Sequence, residues 1–560
     1  MGRFLTFVEW LGNLLPHPVT LFAIFAAGAL VVSAVASYFG LSVEDPRPGH
    51  EGEMLVVTNL LSGEGIRWIG LSMVTNFSGC TPLGTVLVAL LGVGVAEKSG
   101  LLTAVVRALV LNAPRPMVTM VVVFAGVVSN TASEMGYVVL IPLAMAIYHS
   151  LGRHPFAGLA AAFSGVSAGY SANILVGTVD PLLAGITEEA AQLIDPAYSV
   201  NPMCNYFFMA ASTLLITFVG WAITEYLVEP RLGTFDESQM SADVDEAKAL
   251  EKPSALEWRG LRWAGFTALL ISIGIFVVAG PAGPFGIISR LLGWLPGWGL
   301  MRNPDPAVVG ANAFRPLLRS VVPLIVIFFV FQGLVYGRIV GANAFRPLLR
   351  SVVPLIVIFF VFPGFVYGRI VGTMKNDRDA IDAMAGAMRS MGLYIVLVFF
   401  ASQFVAFFGQ SGMGSILAVL GADLLVTLNL DNPLGFLPFI LMCCFVNLML
   451  GSASAQWAVT APIFVPMLMQ IGYSPEVIQA AYRIGDSTTN IITPMMSYFG
   501  LILAVATRYK RDLGIGTLVA TMLPYSMAFL VAWTIFFYLW VFVLGIPVGP
   551  GSPTAYIPAG

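Results

Sequence analysis

The sequence predicts an all-α integral membrane protein, and three observations carry that prediction. The 560 residues are 58% hydrophobic and only 10% charged, where soluble domains carry about 25% charged residues. Apolar runs of roughly 20 residues recur, the length a helix needs to cross about 30 Å of hydrocarbon. The alternating segments of about 10 residues that mark a membrane β-barrel do not occur. Polar interruptions inside two of the apolar regions refine the class. They imply about nine transmembrane helices plus two opposed re-entrant hairpins, in inverted repeats whose broken helices meet at the midplane. The net charge of −3 says little, because topology follows the placement of Lys and Arg.

Residues 1–80 are expected to supply a scaffold span and an external segment. Met1–Pro16 has Arg3 as its only basic residue and lacks the basic, apolar, small-residue order of a cleavable signal. The apolar run within 17–40 is therefore read as a retained span, with the N-terminus cytoplasmic. EDPRPGHEGE (44–53) follows, then a weakly amphipathic stretch reaching Gly79.

Residues 81–190 read as the first inverted repeat. A span over about 82–97 ends at Glu97-Lys98, and 101–111 is a short interfacial helix carrying Arg107. The hairpin 116–149 is too long for one span and is interrupted by SNTAS at 129–133. Each arm, about 14–16 residues, falls short of a crossing. Arg107, Arg115 and Arg153 flank its base. A polar tip at that depth is tolerated only where it lines a protein cavity. Glu134 is placed to cap the second arm, and His149 and His154 read as solvated. Pro155 suits a first helical turn and opens the broken helix 155–186, which breaks at SAGYSAN (167–173) and resumes through Gly177–Pro181.

Residues 203–372 read as scaffold: a span at 203–228, a cytoplasmic loop at 229–262 carrying Arg231, Lys248, Lys252, Arg259 and Arg262, and a span at 263–281. Residues 310–341 then recur as 341–372, with GANAFRPLLRSVVPLIVIFFVF identical in both copies. Divergent structural repeats do not look like this; it is a tandem duplication (310–372) or an error in the sequence. Charge placement leaves room for one spanning copy, and Pro363-Gly364 favours the second as the cleaner helix end.

Residues 390–506 read as the second inverted repeat, after a charged loop over Arg369–Arg389. A span at 391–409 leads to QSGMGSILAV, which echoes KSGLLTAVVR at 98–107. The hairpin 436–470 has its tip at Gly451–Ser454. Ser474 caps and Pro475 opens the broken helix 475–506, with its break expected at Gly485–Asn490. A final span covers 515–545. No Lys or Arg occurs between Arg389 and Arg483, so the second hairpin's base is expected outside and the first's inside, the inverted plan of secondary transporters.

The two tips and two breaks place unusual groups together. Arg483 is a bidentate carboxylate reader; an ion pair with Asp486, or snorkelling, is its structural alternative. Trp457 offers a flat face to an aromatic ligand, or simply packs. Asp486, Asn447 and Asn490 supply the hard oxygens of a sodium site, or bond internally to hold the break, with Asn130 and Asn173 at the equivalent polar points of the first half. Asp180 is suited to a cation, a proton, an amine or a cap. The adjacent Cys443 and Cys444 read as packing.

At SNTASEMGYVVLIPL, GYSANILVGTVDPLLAG, GSASAQWAVTAPIFVPM and YRIGDSTTNIITPMMSYFG the chain resembles the AbgT family of p-aminobenzoyl-glutamate transporters, some of which export sulfonamides. The resemblance covers nearly the whole chain except the duplicated copy. It implies a homodimer in the bacterial inner membrane with nine spans and two opposed hairpins per subunit. Functional positions are implied at Asp180, Ser454, Trp457, Pro475 and Arg483, with Asn130, Ser133 and Asn173 added from the tips and break. Sodium ligands are implied at Asn447, Gly451, Asp486 and Asn490.

The expected function is cation-coupled secondary transport of p-aminobenzoyl-glutamate, sulfonamide export, or both, with no enzymatic activity, no cofactor and no nucleic-acid partner. Sodium or a proton is the coupling ion. Transport of another aromatic or dicarboxylate anion is the alternative. A channel lacks a repeated pore-lining filter, and an intramembrane enzyme lacks HExxH or a base beside its serines.

Overall fold

The computed structural model describes residues 18–45, 52–132, 136–236, 250–279, 352–493, 496, 498–510 and 513–556. The first copy of the duplicated segment, Ser133 and Glu134 lie outside the described residues.

Helix α1 (Pro18–Tyr38) leads into a two-stranded antiparallel ribbon, β1 (Ser42–Glu44) and β2 (Met54–Val56), with Val43 opposite Leu55. This ribbon departs from the all-helical expectation, although the rest of the described chain is helix and connection. Next come α2 (Gly63–Ser78), α3 (Thr81–Lys98) and α4 (Leu101–Leu111). Ser62 caps α2 by accepting from the Gly65 N–H at 3.1 Å, one of the orphan donors of a helix start.

The first hairpin descends along α5 (Val118–Ser129), turns through a 3₁₀ segment at Asn130–Ala132, and returns through a π-helical turn (Gly136–Leu140) into α6 (Ile141–Ser150). Helix α7 (Pro155–Phe163) widens into a second π-helical turn at Ser164–Ala168 before the chain breaks, and α8 (Val179–Ala191) resumes it. Gly126 and Gly165 allow this packing: a Cβ on Gly165 would sit 2.3 Å from the Val123 carbonyl oxygen. A methyl group there would force α5 away from the break.

The scaffold continues with α9 (Tyr206–Ile223), a π-helical turn at Thr224–Val228, α10 (Glu229–Leu232), α11 (Ala255–Ala279) and α12 (Val352–Val371). Part of the expected loop 229–262 is therefore helical. Helix α12 belongs to the second duplicated copy, and it packs on α3 and α11. Pro363 lies inside it, which corrects the reading of Pro363-Gly364 as a helix end. Gly364 instead lets the Ala96 backbone approach, since a Cβ there would lie 2.8 Å from Ala96 Cα. Gly92 on α3 answers it, 2.7 Å from Val357 Cα by the same construction. The Arg369–Arg389 segment, expected as a loop, forms α13 (Asp377–Ser390) behind a capping box of Asn376 and Asp379.

The second half repeats the plan: α14 (Gly392–Gln410), α15 (Met413–Thr427), the hairpin arms α16 (Phe436–Leu450) and α17 (Ala453–Gln470), α18 (Pro475–Asn490), α19 (Phe499–Tyr509) and α20 (Ile515–Tyr538). The echo between 98–107 and 410–419 is a conformational repeat. Gly100 and Gly412 both enter their helices left-handed, at φ 84° and 74°. Ser99 and Ser411 each bond back to a carbonyl three residues earlier and accept from the N–H two residues ahead. Among the described residues seven helices are long and apolar enough to cross a membrane, or eight if the pair Leu101–Leu111 and Arg115–Ser129, bent by 116°, is one span; the nine expected from sequence counted the whole chain.

Helix α18 organises the second half. All sixteen of its residues are buried, Glu476, Arg483 and Asp486 among them, and it packs against α8, α16, α17, α20 and the Ser164–Ala168 turn. It runs unbroken through Gly485–Asn490, which corrects the expected break; the chain leaves the helix only after Asn490. Thr488 and Thr489 satisfy their buried hydroxyls within the helix by donating to the Ile484 and Gly485 carbonyls, at 2.8 and 3.0 Å. Gly485 is required there, because a Cβ would lie 2.6 Å from Cys443 Cβ and 2.7 Å from the Ile440 carbonyl oxygen. Cys443 and Cys444 are buried in α16 as packing groups.

Candidate functional site

The second hairpin turns in two residues, Gly451 and Ser452, and Gly451 closes α16 in the left-handed conformation at φ 52°. This tip and the first tip reach one cavity of about 290 Å³. Its wall takes Asn130 from tip one, Gly451–Ser454 from tip two, Thr178 and Val179 from the first break, and Asn490 from the end of α18. Both halves thus contribute polar main chain and side chains to the same space, as a cavity-lined tip requires. Tyr137, Tyr170, Tyr394, Tyr498, Met391 and Met496 also line it. These were not singled out in the sequence: an aromatic or methionine in an apolar helix carries no pattern that separates cavity wall from core.

Asp180 follows directly on the cavity-lining Thr178 and Val179. Its Oδ1 lies 2.7 Å from Arg483 Nη2, and their side chains are 11% and 3% exposed. Arg483 therefore pairs across the two halves with Asp180, and not with Asp486 three residues on. The correction has a geometric cause: Asp180 stands in the first turn of α8, where its Oδ2 also accepts from the Gly177 N–H at 2.8 Å. Arg483 further donates to the Ser171 carbonyl at 3.3 Å, while its buried Nε finds no partner. Neither a free guanidinium nor a free Asp180 carboxylate faces the cavity in this state.

Trp457 also differs from expectation. It is fully buried, stacks on Tyr482 with ring centroids 4.2 Å apart, and donates Nε1–H to Thr187 Oγ1 at 2.8 Å. Its ring belongs to the wall between α8, α17 and α18 rather than to the cavity lining. Pro475 occupies the first turn of α18 behind the Ser474 cap, and Ser474 Oγ donates to the Pro553 carbonyl of the C-terminal segment at 2.5 Å. Ser454 lines the cavity. Asn173 ties tip one to the first break, its Oδ1 accepting from Thr131 Oγ1 at 2.8 Å and from the Leu175 N–H at 3.2 Å.

Of the residues expected to hold sodium, Asn447 bonds to both Asp486 and Asn490. Asn447 Nδ2 reaches the Asp486 carbonyl, Thr489 Oγ1 and Asn490 Oδ1 at 2.6, 2.9 and 2.9 Å. Its Oδ1 and both carboxylate oxygens of Asp486 are buried without a hydrogen-bond partner. Orphaned acceptors of this kind are costly unless a proton or cation answers them. Among the described residues no group of three or more His, Cys, Asp or Glu is placed to hold a metal.

At the opposite end of the first hairpin, Arg153 lies over the Tyr148 ring at 4.3 Å, bonds Glu225 Oε1 at 2.8 Å, and pairs with Glu229. His154, expected to be solvated, is half-buried and caps α7 by accepting from the Phe156 N–H at 3.2 Å.

Two hairpins converging from separate halves of a helical chain invite comparison with known transporters. The model of the AbgT putative transporter family matches residues 3–346 and 341–556, two pieces that overlap where the second duplicated copy begins. This chain belongs to the AbgT family. The p-aminobenzoyl-glutamate transport protein of Escherichia coli (strain K12) is 34% identical over 550 residues, covering 98% of this chain and 96% of that one. Two solved structures share the fold. Neisseria gonorrhoeae MtrF, described as illuminating a class of antimetabolite efflux pumps, is 51% identical with a TM-score of 0.83, covering 98% of this chain and all of its own. The Alcanivorax borkumensis YdaH transporter, described as having an unusual topology, is 39% identical with a TM-score of 0.80, covering 96% of this chain and all of its own. The AbgT chain is thus a multi-pass membrane transporter, and its relatives are transporters or efflux pumps rather than enzymes.

Proposed function

We propose that this chain is a cation-coupled secondary transporter of p-aminobenzoyl-glutamate, and an exporter of sulfonamide antimetabolites that share the aminobenzene ring. The observation that carries this reading is the single cavity into which both hairpin tips reach. The names of the relatives point to p-aminobenzoyl-glutamate and to antimetabolites. A ligand carboxylate entering beside Thr178 and Val179 competes with Asp180 for Arg483. The pair is thus a bound surrogate for the anion, and releasing Asp180 frees it to meet the ligand's amine. Transport of another aromatic or dicarboxylate anion uses the same exchange.

A sodium ion fits the orphaned oxygens of Asp486 and Asn447, with Asn490 and the Gly451 main chain beside them. Its chemistry there is neutralisation of the Asp486 carboxylate; a proton on Asp486 is the competing solution. The working unit is a homodimer in the inner membrane with its N-terminus in the cytoplasm. The test is flux of labelled p-aminobenzoyl-glutamate and of a sulfonamide in proteoliposomes under an imposed sodium gradient, a proton gradient, or neither. Uphill flux under one gradient supports the reading; flux indifferent to both, at channel-like rates, overturns it.

A further inference from the structure

With Trp457 stacked on Tyr482 and enclosed, the element that reads an aromatic ring must be sought on the cavity wall itself. Two of its tyrosines already form a ring stack. Tyr137 and Tyr498 lie with centroids 4.8 Å apart and planes 5° from parallel, and both line the cavity. They come from different halves of the molecule. Tyr137 sits in the π-helical turn of the first hairpin's returning arm, and Tyr498 is the N-terminal flanking residue of α19, beyond the end of α18. The stack is therefore a contact between the two repeats, made at the cavity that both hairpin tips line.

The two rings are held differently. Tyr137 is 6% exposed and backed edge-on by Phe163 at 6.4 Å. The residue before it, Gly136, has no room for a Cβ: Ser129 Oγ would lie at 2.3 Å and the Val166 methyl carbons at 2.7 and 2.8 Å. The turn that presents Tyr137 packs closely against Ser129 at the end of α5 and Val166 of the Ser164–Ala168 turn. Tyr498, by contrast, is only half-buried, at the start of α19. Met496 connects the two sides, its sulfur accepting from Ser167 Oγ at 3.3 Å and from Tyr137 Oη at 3.8 Å, an adaptable thioether contact suited to repacking.

We propose that Tyr137 and Tyr498 form an aromatic clamp that opens to take the aromatic ring of the substrate between two tyrosine faces. The proposal rests on the transport reading above and names the part of the site that selects a ring. A stacked layer needs about 3.5 Å, so admitting a third ring requires Tyr498 to withdraw by roughly that distance while Tyr137 stays. The exchange replaces one tyrosine–tyrosine stack by two tyrosine–ligand stacks, a net gain of one aromatic contact. Such a contact is worth roughly threefold to tenfold in affinity. An acyclic anion gains nothing from the opening and leaves the clamp shut. Ring selection and contact between the repeats are then the same event, because the ligand ring bridges the residues that join the halves.

The test is equilibrium binding to the full-length protein in nanodiscs, using p-aminobenzoyl-glutamate, p-aminobenzoate and 2-naphthoate against the acyclic anions N-acetylglutamate and glutarate. Tyr498→Leu removes one stack from the free protein and one from the complex, so it alone is expected to bind the ring-bearing ligands about as the wild type does. Tyr137→Leu combined with Tyr498→Leu removes both faces and is expected to weaken them by about threefold to tenfold while leaving the acyclic anions unchanged. Tyr498→Phe, which keeps the face, is expected to bind all five as the wild type does. Tyr137→Phe serves as the matched variant on the fixed side, with the same expectation. Should wild type bind p-aminobenzoate or naphthoate with this tyrosine dependence but not p-aminobenzoyl-glutamate, the substrate assignment fails and the clamp stands. Equal weakening of cyclic and acyclic anions by the double change overturns the clamp, as does wild-type affinity for the ring-bearing ligands in that double variant or binding of no ring-bearing anion.

Discussion

The Arg483–Asp180 pair offers the sharpest quantitative test of the site. The two groups meet at 2.7 Å with side chains 3% and 11% exposed. Coulomb's law at an effective dielectric constant of about 20 gives roughly 6 kcal/mol for unit charges at that separation. Desolvation offsets much of this, so the net value of the pair is small, but removing one partner strands the other. Asp180→Ala leaves Arg483 buried with only the Ser171 carbonyl, because its Nε has no partner to begin with. Arg483→Ala leaves Asp180 with only the Gly177 N–H on its Oδ2. Each single change is expected to cost about 3–5 kcal/mol. The double change Asp180→Ala with Arg483→Ala removes both charges and is expected to cost markedly less than their sum, a coupling of about 2 kcal/mol or more. The assay is chemical unfolding of the four proteins in one detergent, followed by tryptophan fluorescence. Adding p-aminobenzoyl-glutamate is expected to restore stability to Asp180→Ala, whose guanidinium is left open to an anion, and not to Arg483→Ala. Strictly additive costs, or singles below about 1 kcal/mol, would refute a buried coupled pair.

Four further outcomes follow from particular contacts. Trp457→Phe keeps the stack on Tyr482 and loses the bond to Thr187, so it is expected to cost about 1 kcal/mol of stability with ligand affinity retained; a selective affinity loss in binding assays would put the indole in the cavity. Gly485→Val inserts atoms where a Cβ already lies 2.6 Å from Cys443, and thermal unfolding is expected to show a loss of about 1–3 kcal/mol or more. Asp486→Asn retains the shape of the cluster but not its charge, and is expected to abolish any sodium-dependent rise in melting temperature while leaving the melt without sodium unchanged or raised. Burial, with Lys510 nearby, holds His154 below its ordinary pKa, so the unfolded chain binds the proton more readily. Stability from the neutral His154 cap is complete above the unfolded value and is lost as pH falls from about 6.5; His154→Asn, a cap that does not titrate, should flatten that part of a melting-temperature profile.

Hydropathy made the spans legible. Polar interruptions made the hairpin tips legible, because a Ser- or Asn-bearing break inside an apolar run is costly in lipid unless it lines a cavity. The echo of KSG at 98–100 in QSG at 410–412 was readable too: it places a Ser and a left-handed Gly at matching joints. Other features depended on partners distant in the chain. GDSTTN reads as a break by composition, yet remains helical where the whole helix is buried, with its hydroxyls satisfied by carbonyls of the same helix and Gly485 packed against Cys443. Arg483 was open to Asp486, three residues away, but its partner Asp180 lies 303 positions off and is brought up by tertiary packing alone. Trp457 looks the same in sequence whether its ring faces a ligand or Tyr482. The β1–β2 ribbon was hidden in strands of three residues each, too short for any alternation to show.

The central claim, that the cavity between the two hairpin tips holds the substrate, is tested most directly by protection of a cysteine placed at tip two. Ser452→Cys lines the cavity and can be introduced after replacing Cys80, the native cysteine that is not buried. Labelling by a small thiol reagent in nanodiscs is then followed against p-aminobenzoyl-glutamate concentration. The account predicts saturable protection at the ligand's own binding constant, with none from an equal concentration of glycine. Labelling at an unchanged rate through full ligand saturation would contradict it.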